Sequence, residues 1–207
     1  MSDDATEVLD SPKRKRGRPR DANMESRLLG AAISLFGSRG WAGFSIEQVA
    51  RIAKVGKGTV YLRWPSAEAL LREALQKRLR FVDDPDTGQL RTDLLSLAQQ
   101  LAEVYGGENG RAFLRIYLEG DVIPGFEEYW EFQQDQMRVA RRILRRGEAR
   151  GEVGNGIRVT TLLDALSGGI LIHTLTAPAP VVASEEATTR VLEELVELVL
   201  AGAALQE

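Results

Sequence analysis

Residues 45–64 read SIEQVARIAKVGKGTVYLRW and predict two short helices joined by a tight turn. Ser45 and Gln48 have the spacing of a capping box, in which each side chain bonds the backbone amide of the other residue, so the first helix begins here. The second helix covers about residues 56–63 and ends before Pro65, because the residue that precedes a proline is disfavoured in the α region. Two short helices in this arrangement are typical of a helix-turn-helix.

The tetrapeptide GKGT at 56–59 resembles part of a phosphate-binding loop, which would indicate a nucleotide-binding protein instead. That loop needs a glycine five residues before its Gly-Lys pair and a serine or threonine directly after it, all behind a buried strand. Here Arg51 and Gly58 stand at those two positions, and an amphipathic helix precedes them. The sequence therefore favours the helix-turn-helix.

The second helix of this pair divides into two faces. Val60 and Trp64 are four residues apart, so both can face the protein core. On the other face, Lys57 is able to reach a guanine edge, and the hydroxyls of Thr59 and Tyr61 suit phosphate oxygens. A polar face that meets only solvent is the alternative. The basic segment that precedes the helices favours DNA.

The first 22 residues lack apolar periodicity and predict a disordered arm, acidic at first and then basic at 13–20, KRKRGRPR. Within it, residues 16–19, RGRP, resemble the core of an AT-hook, which lies along a narrow minor groove. A basic tail that meets only solvent is the alternative for this segment. Three arginines are predicted to contact DNA beside the helix-turn-helix: Arg16, Arg18 and Arg20.

Charge divides the chain into two parts. Residues 1–80 hold 16 Lys and Arg against 9 Asp and Glu, whereas residues 81–207 hold 11 against 21. A basic N-terminal part joined to an acidic remainder indicates that the polyanion-binding role lies at the front. The chain has no cysteine and one histidine, which excludes disulfides, thiolate catalysis and Cys-rich or His-rich metal sites. We expect no metal, no cofactor and no catalytic residues.

Apolar periodicity is helical throughout the chain, with no competing strand pattern, so the predicted fold class is all-α. Residues 23–82 form a predicted three-helix helix-turn-helix DNA-binding domain with a fourth, stabilising helix. The turn-rich segment DDPDTG at 83–88 marks the predicted boundary. Residues 88–207 carry five predicted helices and form a larger effector-binding and dimerisation domain.

The C-terminal half carries aromatic side chains on two predicted helices, and these are either ordinary core or the lining of a pocket for a small apolar or amphipathic effector. His173 follows Gly168-Gly169 on an apolar helix and is either a core or interface residue or an effector ligand. The helices at 158–175 and 185–202 are the predicted homodimer interface, because their apolar content exceeds what one small domain needs to cover. The candidate pocket residues are Phe113, Tyr117, Phe126, Trp130, Met137 and His173.

Residues 36–40 and 44–66 together resemble the N-terminal domain of TetR-family transcriptional regulators. The shared pattern, over about residues 24–72, is a small or hydroxyl cap, then Val-Ala, Ala, Val, Gly-Thr, Tyr and an aromatic residue; the GRPR arm and the RWPS run resemble one common branch. The resemblance implies a homodimer on a palindromic double-stranded DNA operator, a C-terminal ligand pocket, and release of DNA when the ligand binds. By position, it implies DNA contacts from Ser45, Ile46, Glu47, Lys57, Gly58, Thr59, Tyr61, Leu62 and Arg63.

Two positions depart from the family pattern. The turn residue before Val55 is usually glycine and here is Lys54, so a non-glycine residue is expected at a positive φ. Its basic side chain could contact a phosphate, which adds Lys54 to the predicted DNA contacts. The residue after Ser66 is often a phosphate-binding lysine and here is Ala67, so one expected contact to the DNA backbone is missing.

Three functions compete at this point. The first is a ligand-responsive repressor, the second is an architectural or effector-independent DNA-binding protein in which the arm dominates, and the third is an enzyme in the C-terminal half. The third is disfavoured because no catalytic spacing occurs there. We find no signal peptide and no charge-free apolar stretch of about 18 residues, so we expect a cytoplasmic protein, associated with the nucleoid when bound to DNA.

Overall fold

The computed structural model describes residues 22–80, 83–154, 158–178 and 184–204. Within those ranges every regular element is helical: nine α-helices and two 3₁₀ turns are present, and there is no strand. The predicted all-α fold is therefore confirmed. The predicted arm, which carries Arg16, Arg18 and Arg20, lies outside the described residues.

Four helices form the N-terminal part, here called the head, and serine side chains cap two of them. Ser45 Oγ accepts a hydrogen bond from the Gln48 amide at 3.3 Å, and Ser66 Oγ accepts one from the Ala69 amide at 3.2 Å. These bonds satisfy amide groups that the first turn of a helix leaves unpaired. The head helices are α1 (Ala22–Arg39), α2 (Ile46–Ala53), α3 (Lys57–Tyr61) and α4 (Ala67–Arg78).

Five longer helices form the C-terminal part, here called the body. By length and composition, the helix Val159–Thr176 is the one helix in the described ranges that could cross a membrane, and 22% of it is buried. A core helix of a water-soluble protein passes the same test. The body helices are α5 (Leu90–Tyr105), α6 (Gly107–Glu119), α7 (Glu127–Ala149), α8 (Val159–Thr176) and α9 (Glu185–Ala204).

The head rests on the body where α1 meets α6. A Cβ atom on Gly37 would lie 3.2 Å from the backbone nitrogen of Ala112, so the glycine lets the two helices approach closely. Arg115 Nε on α6 donates to the Gly37 carbonyl at 3.2 Å, and Glu119 Oε2 accepts from the Trp41 amide at 2.7 Å. Two side chains of α6 are thus bonded to the backbone at and just after the end of α1.

The segment between head and body is fixed by carboxylates. The amide and the hydroxyl of Thr87 both donate to Oδ1 of the fully buried Asp93, at 2.9 and 2.7 Å. Arg146 Nη2 on α7 donates to Asp84 at 2.8 Å, and this hydrogen bond holds the pKa of Asp84 below its ordinary value. The described part of this segment is therefore bonded to both α5 and α7.

Candidate functional site

Helix α3 presents one side to the core and the other to solvent. Val60 is 0% exposed, and Trp64, which follows the helix, is 2% exposed. Trp64 Nε1 donates to Glu73 Oε2 at 2.7 Å, which ties the end of α3 to α4. The prediction that Val60 and Trp64 face the core is confirmed, and their burial determines which side of α3 is available to a partner.

The available side of α3 is uncovered. Lys57, Gly58 and Thr59 are exposed, and Leu62 is 90% exposed despite its large apolar side chain. A Cβ atom on Gly58 would meet no described atom within 4 Å, so a partner can come close to the helix backbone there. In a DNA major groove, lysine contacts guanine and apolar side chains contact thymine methyl groups. The available side of α3 carries both kinds of group.

The turn between α2 and α3 is built on Lys54. Its φ of 56° and ψ of 47° are left-handed, and it is the one non-glycine residue with a positive φ in the described part of the chain. The Val55 amide donates to the Ala50 carbonyl at 2.9 Å, as in a Schellman helix end. The predicted positive φ at Lys54 is confirmed. Its side chain is exposed and makes no ion pair with any described residue.

Tyr61 joins α3 to α2. Its hydroxyl donates to Glu47 Oε1 at 3.1 Å, and this hydrogen bond raises the pKa of Tyr61 above its ordinary value. Tyr61 is 46% exposed, so its ring remains available on the surface of the head. Glu47 and Ser45, two further predicted DNA contacts, also bond within the head. Glu47 accepts the hydrogen bond of Tyr61, and the Ser45 side chain caps α2.

The side chain of Ile46 lies in the core, and the predicted DNA contact of this residue stays a prediction that only its backbone could fulfil. Its side chain is 3% exposed. Helix α2 buries its apolar face, which also carries Val49 and Ala50, and it packs on α1. The first residue of α2 belongs to that face, so its side chain cannot reach a partner outside the head.

Arg63 is exposed on the head and is paired with residues of the head. Its Nη2 lies 2.7 Å from Glu25 Oε2 and 3.6 Å from Glu73 Oε1. The guanidinium carbon lies 5.0 Å from the ring centroid of Trp64, in cation–π geometry. Two carboxylates and an aromatic face thus hold the guanidinium in place, and the predicted DNA contact of Arg63 stays a prediction.

Two further cations of the head, Arg27 and Arg51, lie near Lys54. Arg27 of α1 and Lys54 line one groove, with a volume of about 610 Å³, between α1, α2 and Glu108 of α6. Arg51 is exposed on the last turn of α2 and makes no ion pair within the described residues. Only tertiary packing brings Arg27 to Lys54, so no local sequence pattern could have revealed it. Arg51, in contrast, lies about one helical turn before Lys54, so the sequence alone could have indicated that these two cations are neighbours.

Four of the six predicted pocket residues belong to one aromatic cluster between α6 and α7. The ring centroids of Phe113 and Tyr117 are 4.9 Å apart, and those of Tyr117 and Trp130 are 5.5 Å apart. Tyr129 connects Trp130, at 5.7 Å, with Phe126, at 5.2 Å. Tyr117 is 58% exposed, so the cluster reaches the surface of the body at this residue.

Met137 and His173 stand apart from the ring contacts of this cluster. Met137 is half-buried on α7 against the core. His173 lines a different cleft, of about 570 Å³, between α5, α8 and α9, beside Gln99, Glu103 and Glu185. His173 therefore lies on a polar cleft apart from the aromatic cluster, and its predicted role as an effector ligand stays a prediction.

Two glutamines that the sequence did not indicate are buried on α7, and one of them, Gln133, contacts the aromatic cluster. Gln133 and Gln136 are 6% and 8% exposed, on the face of α7 that also buries Tyr129. Gln133 Nε2 donates to the Tyr129 hydroxyl at 2.9 Å. Burial raises the pKa of Tyr105 to about 12 and also raises that of Tyr129, so this region disfavours charge. The helical spacing of the glutamines with Tyr129 was the signal that could have found them.

Comparisons with known proteins agree with this architecture. The family described as bacterial regulatory proteins, tetR family, matches residues 28–74, and the one described as tetracyclin repressor-like, C-terminal domain, matches residues 84–199. The HTH-type transcriptional regulator AqdR of Rhodococcus erythropolis is 30% identical over 161 residues, which cover 77% of each chain. The HTH-type transcriptional regulator YdeS of Bacillus subtilis is 27% identical over 164 residues, which cover 78% of this chain and 83% of the relative.

A solved structure shares the whole fold. The ketosteroid transcriptional regulator KstR2 of Mycobacterium tuberculosis superposes with a TM-score of 0.67 at 17% identity, covering 93% of this chain and 100% of that one. The two family matches together cover most of the chain, and α3 has the exposed face that a recognition helix needs. The chain belongs to the TetR family, whose members are DNA-binding transcriptional regulators rather than enzymes.

Proposed function

We propose that this TetR-family regulator is a homodimeric repressor, which holds a palindromic operator through two copies of α3 and leaves it when a small molecule binds the body. The observation that carries the DNA-binding part is the division of α3: Val60 is buried, whereas Lys57, Thr59 and Leu62 are exposed. A basic arm precedes this helix in the sequence, so a minor-groove contact beside the major-groove contact is part of the proposal.

The proposed contacts divide by their chemistry. Lys57 and Leu62 read base edges, because lysine pairs with guanine and an apolar side chain contacts a thymine methyl group. Thr59 and Lys54 bind phosphate oxygens, and Tyr61 does so when its hydroxyl turns from Glu47 to a phosphate; these contacts position the head without reading sequence. Gly58 contributes by having no side chain, so the backbone of α3 approaches the groove closely.

Dimerisation through α8 and α9 is supported by apolar side chains that the described chain leaves uncovered. Ile172 is 59% exposed, Leu175 is 44% exposed, and Leu198 on α9 is 68% exposed. A Cβ atom on Gly168 or on Gly202 would meet no described atom within 4 Å, so helices of a second copy can approach at both positions. A two-fold dimer presents two heads in inverted orientation, which is why the proposed operator is palindromic.

The proposed release mechanism uses α6, because this helix contributes residues both to the aromatic cluster and to the contact with α1. Phe113 and Tyr117 belong to the aromatic cluster, and Arg115 and Glu119 bond the backbone at the end of α1. A ligand that displaces the rings would shift α6 and, through these bonds, change the distance between the two heads. The regulator would then no longer match both half-sites of the operator.

Selection of bound duplexes from a random DNA pool tests the proposal. We expect one motif with two inverted half-sites, bound with an affinity that falls steeply with salt. Lys57→Ala and Tyr61→Ala are expected to abolish specific binding while light scattering still shows a dimer. Arg145→Ala is the matched control, since Arg145 is an exposed, unpaired cation on α7, and it is expected to leave operator binding unchanged. Operator affinity retained in both head variants would refute the assignment of α3.

A comparison of specific and scrambled duplexes at fixed salt separates the repressor from an effector-independent architectural protein. The repressor is expected to prefer its operator by about 10³-fold or more. Nearly equal affinities would favour the architectural alternative, in which the arm dominates. In the proposed role the protein acts in the cytoplasm and associates with the nucleoid when it is bound to DNA.

A further inference from the structure

The two buried glutamines of α7 have side-chain oxygens without a hydrogen-bond donor among the described residues, which indicates that a molecule bound by the body supplies one. Gln133 Oε1 and Gln136 Oε1 are buried, and neither accepts a hydrogen bond within the described residues. Native proteins leave few buried carbonyl oxygens without a donor, because the hydrogen bond to water that burial removes is not replaced. Residues three apart share one face of a helix, so one bound molecule can serve both oxygens.

The surroundings of Gln133 are aromatic. Its amide nitrogen donates to the Tyr129 hydroxyl at 2.9 Å, which places the amide beside this ring. The Tyr129 ring lies 5.2 Å from Phe126, 5.7 Å from Trp130 and 6.2 Å from Phe132, measured between centroids. Rings at these distances interact through their faces and edges, and a flat aromatic ligand would make the same contacts.

The cluster holds no charge that could balance a charged ligand. Asp93 is the one buried charged residue in the described ranges, and it is bonded to Thr87. Burial raises the pKa of both Tyr105 and Tyr129, and the same loss of water opposes a carboxylate or an ammonium group on a ligand. A neutral ligand that donates hydrogen bonds avoids this cost and satisfies the glutamine oxygens.

We propose that Gln133 and Gln136 form the hydrogen-bond-accepting part of the effector site, and that the effector is an uncharged aromatic molecule with a hydroxyl or N–H donor. This inference rests on the proposed ligand-responsive function. The molecule reaches the site past Tyr117 and Trp130, since Tyr117 is 58% exposed and its ring contacts the half-buried Trp130. The two glutamines select the donor group, and the rings select the aromatic body.

Three probes with the same ring system test the chemical class: 2-naphthol has a donor, 2-methoxynaphthalene lacks it, and 2-naphthoate carries a charge. Each is titrated into the full-length protein, and binding is measured by calorimetry. We expect 2-naphthol to bind about tenfold more tightly than the ether, as one hydrogen bond to a buried acceptor implies, and 2-naphthoate to bind most weakly. Equal affinities for naphthol and ether, tightest binding of naphthoate, or no binding of any probe would overturn the proposal.

A matched pair of variants on α7 tests whether Gln136 produces the preference for 2-naphthol over 2-methoxynaphthalene. Gln136→Leu removes an unpartnered oxygen and no hydrogen bond between described residues, so the variant should fold and show an equal or higher Tm. It is expected to lose most of the preference for 2-naphthol over the ether while its affinity for the ether is kept. Gln134→Leu changes an exposed glutamine of the same helix and should keep the full preference. A preference that survives in Gln136→Leu would contradict the assignment.

Release of operator DNA by 2-naphthol is measured separately, so that the two proposals can fail independently. Selective binding of 2-naphthol with no release supports the glutamine site and contradicts ligand-controlled repression by this chemical class. Release by 2-naphthol that is equal in the wild type and in Gln136→Leu supports ligand-controlled repression and overturns the role of Gln136.

Discussion

The Nη2 atom of Arg63 lies 2.7 Å from Oε2 of Glu25, and this contact joins the segment after α3 to the start of α1. Lys77 Nζ lies 2.6 Å from Glu25 Oε1 and 2.7 Å from Glu73 Oε1. Glu73 also accepts the hydrogen bond of the buried Trp64. Alternating charges thus connect α1, α4 and the end of α3.

The first prediction contrasts a structural role for Arg63 with a DNA-binding role for Lys57. Arg63→Ala should lower the free energy of unfolding by about 1 kcal/mol, because it removes two partly exposed ion pairs and a cation–π interaction. The salt dependence of operator affinity should be unchanged, since Arg63 neutralises no phosphate in the proposed complex. Lys57→Ala should show the reverse, with an unchanged Tm and a weaker preference for the operator over scrambled DNA, because Lys57 reads a base edge in the proposed complex. Salt titrations, thermal melts and binding to operator and scrambled duplexes check this, and a smaller salt slope for Arg63→Ala would show that Arg63 contacts phosphate in the complex.

The second prediction compares two large apolar residues that family position alone would treat alike. Ile46→Ala should destabilise the head by about 2–5 kcal/mol, because Ile46 is 3% exposed and its truncation leaves a cavity. Leu62→Ala should change stability by less than about 0.5 kcal/mol, because Leu62 is 90% exposed, yet it should weaken operator binding. Urea unfolding of both variants measures the difference. Similar stabilities for the two variants would contradict the placement of Ile46 in the core.

Local signals explain why the helices were predictable from the sequence. Ser45 and Ser66 lie at the starts of α2 and α4, and their hydroxyls accept amide hydrogen bonds as the capping pattern indicates. Val60 and Trp64 are buried as their four-residue spacing indicates. Caps and periodicity act between near neighbours in the chain, so a single sequence contains them in full.

Tertiary contacts explain what the sequence could not predict. The partners of Arg63 lie on α1 and α4, so its local pattern was the same whether it faced DNA or Glu25. Tyr117 was expected in a pocket and is 58% exposed, because the buried face of α6 passes through Phe113 and Ile116 instead. Gln133 was overlooked since a polar residue on a helix is normally solvated, and only packing shows it buried.

The third prediction concerns the strained turn at Lys54. The left-handed region costs a residue with a Cβ atom about 1–2 kcal/mol, while glycine gives up about 0.5–1 kcal/mol of chain entropy, so Lys54→Gly should be neutral or stabilising by up to about 1 kcal/mol. If Lys54 binds phosphate, the same variant should bind the operator more weakly and show a smaller salt slope, by about 0.9 per head. Thermal melts and salt titrations measure both effects.

The control for this variant is Lys54→Ala, which removes the charge and keeps a Cβ atom at the positive φ of 56°. It should weaken operator binding as much as Lys54→Gly does, without any increase in Tm. Unchanged operator binding in both variants would show that Lys54 serves only the turn, and the groove that it shares with Arg27 would then need another role.

The fourth prediction concerns pH and the contact between head and body. The hydrogen bond from the Trp41 amide, together with the one from Arg115, holds the pKa of Glu119 below its ordinary value of 4.5. A carboxyl with a lowered pKa in the folded state stabilises the protein above its unfolded pKa, and this contribution disappears as the pH falls through the folded value. Glu119→Gln should therefore be less stable than the wild type at about pH 7, and the gap should narrow toward about pH 3.

Urea unfolding of the wild type and of Glu119→Gln across this pH range measures the gap. Glu131→Gln is the control, since Glu131 is exposed on α7 and bonded to no described residue, and it should change stability by less than about 0.5 kcal/mol. A gap for Glu119→Gln that is equally wide at both ends of the range would mean that neutral glutamine fails to bond the Trp41 amide for reasons of shape. Because Glu119 is the α6 side chain that bonds the backbone after α1, the same variant should also respond less to any effector that acts through α6.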